Sequence, residues 1–580
     1  MRKNDHVIRL EDAFKGYTLD QDKVMSPEET VARFKERVAQ SGLRIMDETV
    51  RIDSGRLGIP VYFSMCGEEA RGLIGTRKQM GKGGTPAQAE ASAVMELAER
   101  FSFFSFYKSE ENFVHEKMSS LKDSAISLDL IAASVHDQSE EVTQALEFFL
   151  NLPTRWVWAW NLTEDKEVLV PIDWFYLLNE FNGTCAGNCK EEAIFQGMCE
   201  LVERHVSALV ARDKIPVPGI KLETLQGGMA GELIEKYLKR GVRLFCSDFS
   251  LGIGIPTVSI LAYDPSTYPE RSEIVWTAGT ASSPQKALIR ALTETAQLAG
   301  DFDTISKYVA SGLPKPRSLQ ELPHITNPEK RVELTSLPDI SHHNIRVEME
   351  RGLAALKALG YQVIVVETTH QALKIPAFYI IVPGFHFRER SLASSVGMFT
   401  AKLISLSEDK HWALSKLKEL DKVLPDKYYI KFHLGSCHLD LYQPDVALRY
   451  FDEALLLEPH PEDLPSLYSY KAVCLKELER YKEAIEVLRK AEALDPERPD
   501  IYNLMGFCYF KRGKYDKAIP CFERAIEMDP GSAIDYANLA VNHHRFGDKE
   551  KAEDYYKLAL SLDPSLEFAR EGLRELTGSL

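Results

Sequence analysis

Apolar positions change their spacing along this chain, and the change divides it. Over roughly the first 410 residues, short runs rich in β-branched and aromatic side chains predict strands at 156–160, 168–172, 257–263, 273–278, 362–367 and 377–382. Longer stretches with apolar residues every three or four positions predict helices at 27–40, 86–107, 190–212, 232–240, 284–299 and 347–359. Strands and helices mixed without strict alternation predict an α+β core, with an α/β arrangement as the neighbouring option. Residues 411–427 read as a charged connecting stretch.

Beyond that point the pattern is wholly helical and repeats. Asp495-Pro496, Asp529-Pro530 and Asp563-Pro564 stand 34 residues apart, and Glu458-Pro459 precedes the first by 37. Alanines recur at fixed distances before each Pro, at Ala447, Ala484, Ala518 and Ala552, and again at Ala454, Ala491, Ala525 and Ala559. Between them stands a large residue, Phe451, Leu488, Phe522 or Tyr556, and earlier a small one, Gly435, Ala472, Gly506 or Ala540. This spacing resembles the tetratricopeptide repeat, in which helix pairs must stack to bury their apolar faces. The expected organisation is a catalytic domain at 1–410, a linker at 411–427, four repeats at 428–567 in an all-α solenoid, and a capping helix at 568–580.

Composition narrows the function. Of 580 residues 44% are hydrophobic and 27% charged, ordinary values for a globular protein. Seventy basic and 86 acidic side chains leave a net charge of -16, which argues against direct nucleic-acid binding. No apolar run reaches the ~20 residues needed to span a bilayer, and Met1–His6 opens no secretory signal, so no membrane association and a cytoplasmic location are expected. Nine cysteines do not suggest a disulfide framework. Cys185, Cys189 and Cys199 lack zinc-site spacing and read as packing residues. His342-His343 and His543-His544 read as a polar loop and a repeat helix rather than metal sites.

Two segments share one construction. Gly81-Lys82-Gly83-Gly84-Thr85-Pro86 enters a helix carrying Ser92, Glu96, Glu99 and Arg100. Asn182-Gly183-Thr184-Cys185-Ala186-Gly187-Asn188 enters one carrying Glu192, Gln196, Glu200, Glu203 and Arg204. Each Glu-x-x-Glu-Arg string places two carboxylates on one helical face. In an apolar helix that arrangement is costly unless a positive charge answers it. Two such helices facing each other would offer hard oxygen ligands suited to Mg²⁺. Gly-rich loops at the helix N-termini, with arginines nearby, would suit phosphate. The segment is no Walker A loop, because Gly75 stands one residue too early and Gly83 follows Lys82.

These motifs resemble the signature of YcaO proteins over most of residues 1–410. Lys15-Gly16-Tyr17 and Pro27-Glu28-Glu29-Thr30 are similar to the family's N-terminal element, Arg290-x-x-x-Glu294 to its third ATP-site segment, and Val382-Pro383-Gly384 to the end of its core. With helical repeats behind it, the chain most resembles the branch implicated in ribosomal protein S12 β-methylthiolation. The resemblance implies ATP and Mg²⁺ as cofactors. It also implies activation of a peptide or protein backbone amide by phosphorylation of its oxygen, for thioamide or azoline formation or as a methylthiolation accessory. It implies that Glu96, Glu99, Glu200 and Glu203 hold metal and that Arg204, Arg290 and Lys15 contact phosphate. Ser92, Thr30, Asn188, Glu192, Gln196 and Glu294 would line the nucleotide pocket.

Two departures are visible: Cys185 stands where relatives often have Ser, and the chain ends Leu576-Thr577-Gly578-Ser579-Leu580 rather than in a Pro-x-Pro-x-Pro tail. The expected partners are a peptide or protein substrate and a protein bound by the repeats, with a homodimer compatible with the same sequence. The alternatives are a non-catalytic scaffold whose first domain binds nucleotide, and an unrelated ATP-dependent ligase or kinase.

Overall fold

The computed structural model describes residues 7–225, 227–304, 308–310, 312–388 and 394–578. The chain forms two compact units, Met1–Asp137 with Leu150–Arg390, and Gln138–Phe149 with Ser391–Leu580.

The first unit is a mixed α+β core built on three sheets. Met46–Arg51, Val61–Cys66 and Lys78–Lys82 form a three-stranded antiparallel sheet. A five-stranded sheet has Val275–Thr280 at one edge, followed by Thr257–Tyr263 and Arg243–Asp248; the first two are buried along nearly their whole length, the third only at Cys246 and Ser247. A six-stranded sheet carries Ile364–Glu367, Ala377–Ile381 and Thr184–Ala186 in antiparallel order. Five helices matter below: α1 (Pro27–Ser41), α2 (Pro86–Lys108), α3 (Lys190–Asp213), α4 (Pro284–Ala299) and α5 (Ile345–Ala358). α1 starts with a reciprocal cap between Ser26 and Glu29, while α2 and α4 each start with Pro behind a Thr or Ser cap. The helix expected at 232–240 begins earlier, at Gly228, and ends at Lys239.

The second unit is helical: α6 (Val396–Ser405), α7 (Lys410–Val423), α8 (Tyr428–Asp440), α9 (Pro444–Leu456), α10 (Leu464–Glu477), α11 (Tyr481–Leu494), α12 (Pro499–Lys511), α13 (Tyr515–Met528), α14 (Ala533–Phe546), α15 (Lys549–Leu562) and α16 (Glu567–Thr577). The stretch 411–427 is therefore no loop-like linker. Asp409 caps α7, and the fully buried Leu417 and Leu420 give it an apolar face that the surrounding lysines disguise. The final helix is α16; Ser579 and Leu580, like Met1–His6, lie outside the described residues.

All eight repeat alanines are fully buried. In two of the four pairs the small position is explained by its partner: a Cβ on Gly435 would lie 2.9 Å from the Phe451 ring, and one on Gly506 2.7 Å from Phe522. Among the described residues no helix is long and apolar enough to cross a membrane.

Candidate functional site

Three helices of the first unit are delivered by one construction, repeated. Thr85, Cys189 and Ser283 are the N-caps of α2, α3 and α4, each accepting a backbone N–H from three residues on. Four residues before the caps of α2 and α4 stand Gly81 and Gly279, each in a strand. A Cβ on Gly81 would lie 2.3 Å from Ala89 O and 2.1 Å from Ala93 N. On Gly279 it would lie 2.4 Å from Ala287 O and 2.5 Å from Ala291 N, at the same offsets. Glycine is required because the helix backbone rests on the strand backbone. In the second copy the roles are exchanged. Cys185 occupies the strand position, and a Cβ on Gly197 of α3 would lie 2.8 Å from its Sγ. The buried Cys185 is thus a packing residue in a place where the helix, not the strand, gave up its side chain.

Equivalent positions of the three helices then face one cavity of ≈ 320 Å³. Ser92, Gln196 and Arg290 share the first position; Glu96, Glu200 and Glu294 the second; Glu99, Glu203 and Gln297 the third; Arg100, Arg204 and Leu298 the fourth. Thr30, Asn188 and Glu192 complete the expected set around it, joined by Lys23 and Lys82. Asn188 Nδ2 donates to Thr30 Oγ1 at 3.0 Å and to Glu192 Oε1 at 3.2 Å, fixing that wall.

Lys15 is the exception. Its Nζ lies 2.7 Å from Asp22 Oδ2 and 2.6 Å from Glu348 Oε1, with only 8% of the side chain exposed, and it does not line the cavity. Both of its partners are carboxylates, so its charge is answered within the protein; Lys23 and Lys82 stand in the cavity instead. The helix N-termini also differ from expectation. Gly84 N donates to the buried Asp20 Oδ2 at 2.6 Å, and Asn188 N donates to Glu192 Oε1 at 3.1 Å. A carboxylate thus already accepts the backbone N–H of the residue that precedes each N-cap, Thr85 or Cys189.

The electrostatics leave positive and negative groups incompletely matched. Burial pushes the Glu99 carboxyl up to about 8; Arg100 opposes this, and Glu200 and Glu96 add to it. Burial also raises Glu96, against the pull of Arg100 and Lys82. Lys82 pairs with Glu294, yet burial and the charge of Arg290 press its ammonium down to about 7. Thr184 Oγ1 donates to Glu99 Oε1 at 2.6 Å, and Arg100 Nη1 donates to Thr184 at 2.9 Å while lying over the Phe181 ring. Arg204 and Arg290 are held more loosely, 3.7 Å from Glu200 and 4.0 Å from Glu203. The buried Nε of each has no hydrogen-bond partner.

The four carboxylates do not form a ready-made chelate. No three His, Cys, Asp or Glu side chains among the described residues could hold a metal by themselves. Mutual repulsion keeps them apart, which suits Mg²⁺, because that ion takes one or two carboxylates and fills its shell with phosphate and water. The donor set, with two unbonded guanidinium nitrogens beside it, fits a magnesium–phosphate group. Burial raises the Cys199 thiol to about 12 and Cys185 further, so neither is a ready nucleophile.

Reading by sequence missed Lys82, Arg100, Lys23 and Gln297. The signal for Gln297 was the third copy of the strand–cap–helix unit, masked because its third and fourth positions are Gln297-Leu298 and not Glu-Arg.

Residues 80–386 match the model of the YcaO cyclodehydratase family, described as ATP- and Mg²⁺-binding, and 475–511, 499–532 and 536–566 match tetratricopeptide repeat models. An uncharacterized protein of Methanothermobacter thermautotrophicus is 26% identical over 62% of this chain and 94% of its own length. The ribosomal protein S12 methylthiotransferase accessory factor YcaO of Escherichia coli is 28% identical over 41% of this chain and 43% of its own. A heterocyclase solved with substrate and cofactor shares the fold, with a TM-score of 0.53 and 21% identity over 66% of this chain and 55% of its own. The chain thus spans nearly all of the archaeal relative but about half of the other two. It belongs to the YcaO family, with that family's ATP- and Mg²⁺-binding domain followed by tetratricopeptide repeats.

Proposed function

We propose that this protein is an ATP-dependent enzyme that activates a backbone amide of a peptide or protein, leading to a thioamide or azoline or assisting methylthiolation. The observation that carries this reading is the convergence of α2, α3 and α4 on one cavity, with Glu96, Glu99, Glu200 and Glu203 beside the unbonded Nε of Arg204 and Arg290. Bound Mg-ATP supplies the phosphoryl group that turns an amide oxygen, otherwise a poor leaving group, into a good one. Glu96, Glu99, Glu200 and Glu203 would be the carboxylates from which Mg²⁺ takes its one or two protein ligands, with phosphate and water filling the rest of its shell. Arg204, Arg290 and Lys82 meet phosphate oxygens and stabilise the charge that develops there. Ser92, Thr30, Asn188, Glu192, Gln196 and Glu294 shape the nucleotide wall, and Lys15 braces it from behind through Asp22 and Glu348.

In this reaction a sulfur or oxygen nucleophile adds to the amide carbonyl, the resulting oxyanion takes the γ-phosphoryl group, and inorganic phosphate leaves with that oxygen. Oxygen-18 placed in the target carbonyl therefore passes into released phosphate. Product formation with the label kept in the peptide, or phosphate carrying only water oxygen, would remove amide activation. The second outcome would favour a nucleotide-binding scaffold.

A further inference from the structure

The repeat array carries a charge feature that its folding does not account for. Residues 428–580 hold 28 acidic and 20 basic side chains, yet the turn joining α12 to α13 reads Lys511-Arg512-Gly513-Lys514-Tyr515-Asp516-Lys517. The corresponding turn one repeat later carries Arg545 at the end of α14 and Lys549 at the start of α15. All six cations are exposed, and none has a salt-bridge partner among the described residues. Elsewhere in the array many cations are paired, Lys471 with Asp452, Arg480 with Glu483, Arg498 with Asp500, Arg524 with Glu527 and Lys557 with Glu553, and the exposed cations without a salt bridge among the described residues, such as Lys482 and Arg574, are not gathered at one turn.

Helix electrostatics explain part of the cluster only. Lys511 and Arg545 close α12 and α14, where the helix dipole favours a cation. Lys514 is the N-cap of α13, Lys517 lies in its first turn, and Lys549 is the first residue of α15. At these helix starts the dipole disfavours positive charge; Asp516 in the first turn of α13, and Asp548 and Glu550 at the start of α15, answer it in part, but none of them forms a salt bridge with the six cations among the described residues. Beside them, the Phe507 ring has the ammonium of Lys476 at 5.3 Å and that of Lys511 at 5.5 Å from its centroid, so two like charges share one aromatic ring. Phe546, in the second turn, is 60% exposed.

We propose that this edge, formed by the α12–α13 and α14–α15 turns, is a docking surface for an acidic segment of a partner protein with apolar side chains between its carboxylates. The carboxylates answer Lys511, Arg512, Lys514 and Arg545, and the apolar residues cover Phe546. A short segment fits better than a long polyanion. Asp516 in the first turn, and Asp548 and Glu550 in the second, stand among these cations and repel a continuous run of phosphates. The chain's overall negative charge suggests basic partners; this edge locally reverses that preference.

The test uses the full chain and fluorescence anisotropy with labelled twelve-residue probes: a set of Glu/Asp-rich peptides with Leu or Phe at varied spacing, Lys-rich counterparts, and a single-stranded RNA. At least one acidic peptide should bind with an affinity that falls tenfold or more in the K511E/R512E/K514E variant and weakens with added salt. Circular dichroism should be unchanged in that variant, and R545E alone should weaken binding less. No acidic peptide binding above the Lys-rich controls would overturn the proposal. So would binding indifferent to both charge reversals, or RNA bound more tightly than every peptide.

Discussion

Glu294 stands in α4 where Glu96 stands in α2, each the same number of residues beyond its N-cap, and both line one cavity. The copies diverge beyond that point. The second carboxylate of α2 and α3, Glu99 or Glu203, becomes the neutral Gln297 in α4, and Glu294 is already paired with Lys82. On the proposed reading the carboxylates for the metal would therefore come from α2 and α3, while α4 contributes Arg290 to the cavity.

Glu200→Gln should lower Mg²⁺-dependent binding of a non-hydrolysable ATP analogue at least tenfold in calorimetry. Removing one charge leaves the metal with a weaker ligand set, while the half-exposed side chain keeps its size and disturbs packing little. Normal affinity in a variant with native circular dichroism would sink the metal assignment.

Gly279→Ala should be severe for a residue so small. The added Cβ meets the backbone of α4 at 2.4 and 2.5 Å, and backbone cannot swing aside as a side chain can. Overpacking costs about 1–3 kcal/mol where neighbours can yield, so at least that loss is expected, read as a lowered thermal midpoint or loss of soluble protein. Gly360→Ala probes a different situation, because that glycine has open space but a φ of +84°. Only strain should appear there, and equal effects at the two sites would contradict the close-approach argument.

Lys15→Met should act first on stability. It leaves Glu348, 1% exposed, and Asp22 without their shared cation. Breaking a buried pair by removing one partner costs about 3–5 kcal/mol. Lys15→Met with Glu348→Gln should recover part of that loss in a double-mutant cycle. If the single variant unfolds like the wild type and only nucleotide affinity falls, Lys15 is a phosphate ligand after all.

The repeat array should weaken in mild acid. Burial, with Lys402 nearby, holds the His433 imidazole down to about 3. A histidine depressed in the folded state favours the unfolded chain once that chain takes up protons. The contribution is thus intact above the unfolded value of about 6.5 and is lost as pH falls from there toward the folded value. Protection factors across α8, that is exchange corrected for the intrinsic pH dependence of amide exchange, should fall between pH 7 and 5, and His433→Gln should flatten that fall. Parallel profiles for the two proteins would show that another group governs it.

The repeat solenoid was legible from sequence because its periodicity is local: each small residue precedes a large one by a fixed distance along the chain, and Gly435 meets Phe451. The helices and strands expected in the first unit followed from apolar spacing for the same reason, and so did the two Glu-x-x-Glu-Arg faces; the sheet of Met46–Arg51, Val61–Cys66 and Lys78–Lys82 was missed, because polar and charged residues interrupt its apolar alternation. The helix α7 was hidden because lysines and glutamates crowd between its buried leucines, so composition outweighed period. What only the tertiary structure decided concerns pairs far apart in sequence. Lys15 meets Glu348 across 333 residues and is thereby withdrawn from the cavity. Asp20 reaches across 64 residues to accept the backbone N–H of Gly84, just before the N-cap of α2. The third strand–cap–helix copy became recognisable only when Gly279 was found against Ala287 and Ala291, because backbone contact preserves a glycine while leaving the outward side chains free to diverge.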